Sequence, residues 1–478
     1  MKVCLFAEGC YPYTVGGASA WTQMLISSLP DVEFVVQTVI VGREESGKFK
    51  YTLPPNVVEI RETYLNDTDR MVKKGRRRRM SRQQREAFRG LVFGENVQWE
   101  LIFDFFYETN VSVNDVLMGT DFFDIVKEYY DLFYNRTVFT DFLWTFRSVF
   151  LPVFLILKNS IPEADLYHTI STGYAGMLGC CAKHIHKKPL LLTEHGIYTR
   201  EREEEIIGIN WVKGVYKDLW ISHFYKLSQC IYSRADWVVS LFEGARKLQV
   251  EIGCEDYKTE VISNGIAVDK FKDLPGKDPD DDYINVGAVV RISPIKDIKT
   301  MITAFSYAKE KNDKLRLYIM GPEDEDPDYS RECRELADSL EVRDVIFTGR
   351  VNVLDYLGKM DINLLTSISE GQPLSVMEAM ASGVPSVTTK VGDCYEILNA
   401  GSDSGSCGIV VPVMNVSQIA QAILTLAKDK ELRRQMSAAG RKRVEQKYVN
   451  TDFLERYHEI YKTMYTGREP RKIGGNRI

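Results

Sequence analysis

The stretch Ser367–Ser382, SISEGQPLSVMEAMAS, places two carboxylates, Glu370 and Glu378, across the junction of a loop and a helix. The preceding DINLLT has the apolar run of a short buried strand. Apolar side chains recur at helical spacing from Leu374 onward, and Gly383 predicts the end of the helix. Backbone N–H groups at such a helix start form an anion site. Two carboxylates beside an anion site suit a ligand with phosphate and hydroxyls, such as a sugar nucleotide.

This stretch belongs to the second of two blocks in which strands and helices alternate. The chain of 478 residues is too long for one ordinary core, and residues 272–282 (KDLPGKDPDDD) have the composition of a linker. The sequence therefore predicts an α/β protein with two doubly wound domains facing a cleft. The predicted domains are residues 1–272 and 273–451, and a C-terminal helix at about 452–466 is expected to pack back on the first domain.

Residues 65–157 predict a mostly helical insertion in the first domain, because Phe, Tyr and Trp crowd it at helical spacing. Within it, Phe142–Leu157 is apolar but shorter than the roughly 20 residues that a membrane span needs. It is interpreted as a buried helix or as a helix lying on a membrane surface. The basic run Lys73–Arg85 could attract acidic lipid or a polyanion, or it could form a solvated helix face or a mobile loop.

Composition excludes several classes of protein. The net charge of -6 argues against wholesale nucleic-acid binding. Nine scattered cysteines without a Cys-x-x-Cys pair indicate reduced thiols in a cytosol, neither a disulfide framework nor a zinc site. The apolar start Met1–Ala7 is too short for a signal-peptide core, so we expect no secretion. The acidic triplet Asp280–Asp282 could suggest a metal, but a solvated linker explains it and no metal site is predicted.

Further candidate site residues follow other predicted strands. His195 comes at the carboxyl end of the strand Pro189–Thr193, where open α/β sheets carry chemistry, although a structural histidine is the alternative. The pair Gly16-Gly17 could let a substrate approach the backbone or could form a plain tight turn. Arg291 and Lys296 flank a turn after the first strand of the second block. They could hold a diphosphate without a metal, or be ordinary surface cations.

Together these residues resemble a retaining glycosyltransferase of the GT-B fold, family GT4. Glu370 and Glu378 match the E-x7-E motif of that family, and residues 261–266 (VISNGI) resemble its V-I-P-N-G-V signature. Two departures are Asp297, where many relatives have Gly, and Ser263 in place of Pro. More narrowly, EGCYPYTVGGASAW, TEHGIYTRERE and VVRISPIKDIKT resemble the PelF subgroup, which works in Pel-type exopolysaccharide synthesis. That subgroup has an extended amino-terminal region, which would account for the insertion.

The resemblance implies roles for the matching donor-site residues. Glu378 would hold the ribose hydroxyls, and Glu370 would contact hydroxyls of the sugar near the reacting carbon. Arg291 and Lys296 would bind the diphosphate and stabilise the departing nucleotide, helped by the backbone N–H groups of Gly371 to Leu374. Such charges act where charge develops during glycosyl transfer.

Two residues of the first domain would complete the site that the resemblance implies. His195 would face the donor sugar, and Gly17 would leave room for the donor phosphate and the acceptor.

The resemblance thus implies a retaining, metal-independent hexosyltransferase without a cofactor. Its expected donor is UDP-glucose or a UDP-hexosamine, and its acceptor is a growing exopolysaccharide. It is expected in the cytoplasm, with the inner face of the membrane and a membrane-bound polysaccharide synthesis complex as candidate partners, and without nucleic acid. Two alternatives remain: a sugar-nucleotide 2-epimerase of GT-B-like fold, which needs no acceptor, and a non-catalytic scaffold that docks a membrane complex.

Overall fold

A computed structural model describes residues 1–67, 79–209, 211–399 and 405–467. The chain divides into two compact units. The first comprises Met1–Ile262 and the segment that begins at Arg456, and the second comprises Ser263–Glu455. Each unit is built on one sheet in which every recorded strand pair is parallel.

The sheet of the first unit has seven strands. They are β1 Lys2–Glu8, β2 Glu33–Ile40, β3 Val57–Tyr64, β4 Leu166–Thr169, β5 Leu190–Glu194, β6 Trp237–Ser240 and β7 Thr259–Val261. Their order in the sheet is β3-β2-β1-β4-β5-β6-β7. The central strand β1 is buried from Val3 to Ala7, as expected where helices cover both faces of a parallel sheet. The order reverses between β1 and β4, which defines a switch point where ligands commonly bind.

In the described residues beyond Ser81, the predicted insertion is mostly helical, with short turns and loops between its helices. Helix α1 (Gly17–Ser28) precedes the insertion. Within the insertion, the ring of Phe88 packs against the ring of Phe105 at a centroid distance of 5.1 Å. Of the basic run, Lys73–Arg78 lies outside the described residues. The insertion helices are α2 Arg82–Phe93, α3 Trp99–Glu108, α4 Val113–Leu117, α5 Thr120–Phe133 and α6 Phe139–Leu157.

Helix α6 is, in the part of the chain that the structure describes, the one helix long and apolar enough to cross a membrane. Nine of its side chains are buried, and Phe146, Phe150 and Phe154 belong to the same hydrophobic core as strand β1. This burial agrees with the interpretation of a core helix, since core helices pass the same test of length and composition.

Four helices complete the layers around the first sheet: α7 Tyr174–His186, α8 Tyr198–Gly208, α9 Lys217–Arg234 and α10 Glu243–Ile252. Helix α9 carries His223, which is fully buried with its ring 5.2 Å from that of Phe150. Neither ring nitrogen has a hydrogen-bond partner among the described residues. Burial lowers the pKa of His223 to about 3, because the charged imidazolium is poorly solvated there.

We expect His223→Leu to make the free energy of unfolding less sensitive to acid. The folded pKa of about 3 lies below the unfolded value, so the unfolded state binds more protons as pH falls from about 6.5 towards 3. The histidine's contribution to stability is present above that window and is lost within it. Between pH 7 and pH 5 the wild type should therefore lose about 2 kcal/mol more than the variant.

Urea unfolding at several pH values measures this difference. Glu194 contributes to the pH dependence of stability with the opposite sign, because burial raises its pKa to about 7. This contribution is the same in both proteins and cancels in their difference. Equal slopes for wild type and His223→Leu would contradict the expectation.

The sheet of the second unit has six strands. They are β8 Ile284–Val289, β9 Leu315–Met320, β10 Val345–Gly349, β11 Ile362–Leu365, β12 Ser386–Thr389 and β13 Gly408–Val411. Their order in the sheet is β10-β9-β8-β11-β12-β13. The helices are α11 Ile298–Lys311, α12 Pro327–Ser339, α13 Leu354–Leu357, α14 Leu374–Ala381, α15 Cys394–Asn399, α16 Val416–Lys428 and α17 Lys430–Lys447. The sequence pattern predicts a helix over residues 353–359, which is longer than the observed α13, and no element was assigned to the residues of β13.

The last described helix, α18, runs over Asn450–Tyr465, and its residues from Arg456 onward belong to the first unit. Tyr461 Oη lies 2.7 Å from His168 Nδ1, and Tyr457 Oη lies 2.9 Å from Thr193 Oγ1. Both tyrosines are buried. The end of the chain therefore contributes to the interior of the first unit, beside the strand that precedes His195.

Candidate functional site

The candidate donor site of the second unit lies where its strand order reverses. Strands β8 and β11 are neighbours, with Val286 paired to Ile362 and Gly287 paired to Asn363. Loops that follow two such strands at their carboxyl ends come together. Lys296 follows β8 and Glu370 follows β11, and Lys296 Nζ lies 2.5 Å from Glu370 Oε1.

Three contacts hold this ion pair. Ser367 Oγ donates to Glu370 Oε1 at 2.6 Å, and Thr366 Oγ1 donates to the carbonyl oxygens of Lys296 and Asp297 at 3.1 Å each. The side chains of Lys296 and Glu370 are only 16% and 11% exposed. A poorly hydrated ion pair of this kind is costly to break from one side, since the remaining charge lacks a partner. The pair is thus a fixed, charged feature of the switch point.

Asp297 explains one departure from the family pattern. It has φ 48° and ψ 54°, the left-handed conformation that glycine adopts without steric cost. Its Oδ1 also accepts a hydrogen bond from the N–H of Thr300 at 3.3 Å, which caps α11. The aspartate keeps the backbone geometry that a glycine would allow and adds a cap.

Glu378 lies in the second turn of α14 and is partly buried. Among the described residues its carboxylate makes no hydrogen bond, and burial raises its pKa. In the described parts of the chain, no side chain caps the N terminus of α14, which begins at Leu374 after Pro373. Uncapped N–H groups carry the positive end of the helix dipole, so this helix start can accept an anion.

Arg291 is placed differently from Lys296. Its Nη1 lies 2.9 Å from Glu325 Oε2, and the side chain is about half exposed. The recorded contacts therefore put Lys296 beside Glu370 and Arg291 beside Glu325. Gly371 lies between Glu370 and Glu378 in the sequence. Its carbonyl oxygen accepts a hydrogen bond from the N–H of Asp393 at 2.9 Å.

The candidate residues of the first unit are described separately. His195 follows β5, and its ring lies edge-on to Trp21 of α1 at a centroid distance of 4.6 Å. Burial lowers the pKa of His195 to about 4, so the imidazole is neutral near pH 7. Its Nε2 is buried without a hydrogen-bond partner among the described residues. A Cβ on Gly17 would meet nothing within 4 Å, so open space surrounds this residue.

Glu194 fixes the backbone immediately before His195. Its carboxylate accepts hydrogen bonds from Tyr232 Oη at 2.6 Å, from Gln249 Nε2 at 2.9 Å and from the N–H of Tyr198 at 3.1 Å. These partners come from α9, α10 and α8. The loop that carries His195 is therefore tied to three helices.

Several of these supporting residues were missed by sequence reasoning. Neither Trp21 nor Ser367 was among the site residues predicted from the sequence. The spacing of Ser367 three positions before Glu370 could have indicated a local hydrogen bond. Nothing in the sequence indicated that Asp393 contacts the loop at Gly371.

The acidic linker is accounted for by ion pairs. Asp281 pairs with Arg316, and Asp282 pairs with Lys314. In the ranges that the structure describes, no group of three or more His, Cys, Asp or Glu residues is arranged to hold a metal ion.

Comparison with known families places both halves of the chain. A family model described as a domain of unknown function, DUF3492, matches residues 1–257, which is more than half of the 478 residues. The chain belongs to the DUF3492 family. In this DUF3492 member, residues 269–443 also match the family described as Glycosyl transferases group 1. That match contains Lys296, Glu370 and Glu378.

Curated relatives of this DUF3492 member are glycosyltransferases or related enzymes by their names. It is 31% identical over 170 residues to N-acetyl-alpha-D-glucosaminyl L-malate synthase of Bacillus anthracis, covering 35% of this chain and 42% of the relative. It is 24% identical over 344 residues to the capsular polysaccharide biosynthesis glycosyltransferase CapM of Staphylococcus aureus, covering 66% and 82%. The chain spans about half the length of the first curated relatives it matches. These matches support the predicted glycosyltransferase class.

A solved structure gives the fold. The crystal structure of Anabaena HepE in complex with UDP-glucose aligns with a TM-score of 0.60 and 14% identity over 97% of this chain and 100% of that chain. At this identity the likeness shows the fold alone. The predicted fold class, GT-B with two Rossmann-like domains, is confirmed.

Proposed function

We propose that this chain is a retaining, metal-independent glycosyltransferase that moves a hexose from a UDP-sugar to a growing exopolysaccharide. The observation that carries the proposal is the Lys296–Glu370 pair at the switch point of a domain of the Glycosyl transferases group 1 family. A cation and a carboxylate held together there can bind the two parts of a nucleotide sugar, the cation its diphosphate and the carboxylate its hydroxyls.

The donor would be bound by groups of the second unit. Lys296 Nζ would contact the diphosphate, and the uncapped N terminus of α14 would add backbone N–H donors. Glu378, without a hydrogen bond in the described chain, would accept the ribose hydroxyls. Positive charge aimed at the phosphate stabilises the nucleotide as it departs, which is where negative charge develops.

The resemblance to family GT4 assigns two different groups to the sugar. Glu370 would accept hydroxyl hydrogen bonds near the reacting carbon. His195 of the first unit is neutral near pH 7, and a neutral imidazole donates from one nitrogen and accepts at the other. That capacity matches a sugar hydroxyl, which also donates and accepts.

The finer parts of the proposal rest on likeness. The complex of HepE with UDP-glucose supports a UDP-linked donor, and the name of CapM supports a polysaccharide acceptor. Retention of configuration, the Pel-type role, a cytoplasmic site and association with a membrane-bound synthesis complex rest on the resemblance of the sequence to family GT4 and its PelF subgroup.

A thermal-shift screen of the full chain against UDP-, ADP- and GDP-sugars tests the donor, and product analysis of the binding sugar nucleotide tests the reaction. We expect stabilisation by UDP and a UDP-hexose, and release of UDP with a sugar joined to an oligosaccharide acceptor. An epimerised sugar nucleotide formed without acceptor would instead indicate a 2-epimerase. Absence of any nucleotide-dependent shift would favour a scaffold.

Transfer is expected to continue undiminished in EDTA. Lys296 and the N terminus of α14 would supply the charge that a divalent cation provides in metal-dependent transferases. The measurement is the release of UDP after dialysis against EDTA, compared with the same sample after Mg²⁺ or Mn²⁺ is restored. Loss of activity that a cation restores would overturn the metal-independent assignment.

A further inference from the structure

A chain of hydrogen bonds runs beneath the motif loop of the second unit. The N–H of Asn264 donates to Gln372 Oε1 at 2.6 Å, and Gln372 Nε2 donates to Asp393 Oδ2 at 2.6 Å. All three residues are buried. Gln372 thus bridges the segment where the second unit begins and the loop that follows β12.

The same two loops also touch through their backbones. The N–H of Asp393 donates to the carbonyl oxygen of Gly371 at 2.9 Å. Gly392 has φ +48°, and a Cβ there would lie 2.1 Å from the Gly371 carbonyl oxygen and 2.4 Å from that of Glu370. No side chain larger than hydrogen fits between the loops. The position of the Glu370–Gly371 peptide is therefore defined by the loop that carries Asp393.

The direction of the hydrogen bonds is determined by chemistry. A backbone N–H can only donate, so the atom of Gln372 that faces Asn264 is the amide oxygen, and the amide nitrogen faces Asp393. Asp393 must then accept. Burial raises the pKa of Asp393 to about 7, which reflects the same exclusion of water that makes the amide contact strong.

We propose that Gln372 and Asp393 are a positioning pair that holds the loop from Glu370 to Leu374 in the geometry that receives the donor diphosphate. This inference rests on the proposed function. In this inference Gln372 and Asp393, which are neither the two carboxylates nor the cations of the motif, orient the backbone N–H groups of that loop.

The fixed donor and acceptor directions of these hydrogen bonds allow a test in which the amide and the carboxylate exchange places. In Gln372→Glu two carboxylates would face each other where an amide and a carboxylate now meet, and the loop should be displaced. When Gln372→Glu is combined with Asp393→Asn, the new carboxylate accepts from both the Asn264 N–H and the side-chain amide introduced at position 393. Both hydrogen bonds are then restored, and the negative charge has moved from position 393 to position 372. Gln372→Met breaks both hydrogen bonds without adding charge.

The measurement is the affinity for UDP and for uridine by calorimetry, at a temperature where each variant is folded. We expect Gln372→Glu and Gln372→Met to bind UDP about tenfold more weakly than the wild type, and the double variant to recover most of the loss. Uridine lacks the diphosphate, so its affinity should change little. Gln435→Glu adds a charge on an exposed helix of the same unit and serves as the control.

Each outcome decides one point. Unchanged UDP affinity in Gln372→Met, or equal loss of UDP and uridine affinity, would overturn the positioning role, because a general loss of structure would affect both ligands. A double variant as weak as Gln372→Glu would overturn the hydrogen-bond chain as its cause. A wild type that binds no UDP would instead refute the proposed function.

Discussion

Lys296→Ala is expected to weaken UDP binding about a hundredfold, measured at a temperature where the variant is folded. The variant loses the cation assigned to the diphosphate. It also leaves Glu370 without its ion-pair partner, so a bare carboxylate would face the incoming phosphates. Lys296 lies in the turn after β8 and outside the hydrophobic core, so the hydrophobic packing of the variant is unchanged, although the unpaired Glu370 lowers its stability.

Calorimetry with UDP measures this effect, and Lys299→Ala provides a matched control. Lys299 lies three residues further along, and its Nζ is 2.7 Å from Glu332 Oε2 in an exposed ion pair. Surface pairs of this kind contribute little, so the control should bind UDP as the wild type does. Equal UDP affinity for Lys296→Ala and Lys299→Ala would refute the assignment of Lys296 to the diphosphate.

Glu370→Gln is expected to reduce transfer about a thousandfold while leaving UDP affinity unchanged or tighter. The carboxylate is assigned to the sugar hydroxyls near the reacting carbon, where its charge would stabilise positive charge on the ring. The amide of glutamine fits the same space without that charge. Removal of the carboxylate also releases Lys296 from its ion pair, which should favour binding of the diphosphate.

The kinetic test is the rate of UDP release at saturating donor and acceptor, measured alongside UDP affinity. Glu332→Gln, which breaks the exposed pair with Lys299, should keep full activity. Transfer by Glu370→Gln within tenfold of the wild type would place the critical carboxylate elsewhere. A scaffold would keep its partners in this variant, so retained binding to a membrane complex together with lost transfer would separate the two roles.

Much of the fold could be predicted because the strands of a parallel sheet appear in the sequence as short apolar runs. Runs such as VCLFA and INLL are almost entirely apolar, since helices cover both faces of their strands. Strand β13, with the run GIVV, was missed by the sequence analysis. Helix α13 is shorter than predicted, since four residues carry almost no helical period.

The candidate site could be predicted in part. Glu370 and Glu378 share one loop and one helix, so their spacing is visible in the sequence. The contact between Lys296 and Glu370 depends on β8 and β11 being neighbours, which follows from the order of strands in the sheet and not from their order in the chain. The partner of Arg291, Glu325, follows β9 and is set by the same order.

The amino-acid sequence by itself determined the two α/β blocks, the helical insertion and the motif that places two carboxylates around a helix start. These are local patterns, because burial and helical spacing act over a few residues. Only the tertiary structure decided that Lys296 lies against Glu370 and that Gln372 joins Asn264 to Asp393. Those contacts connect residues that are far apart in the chain, and the folded sheet alone brings their loops to one edge.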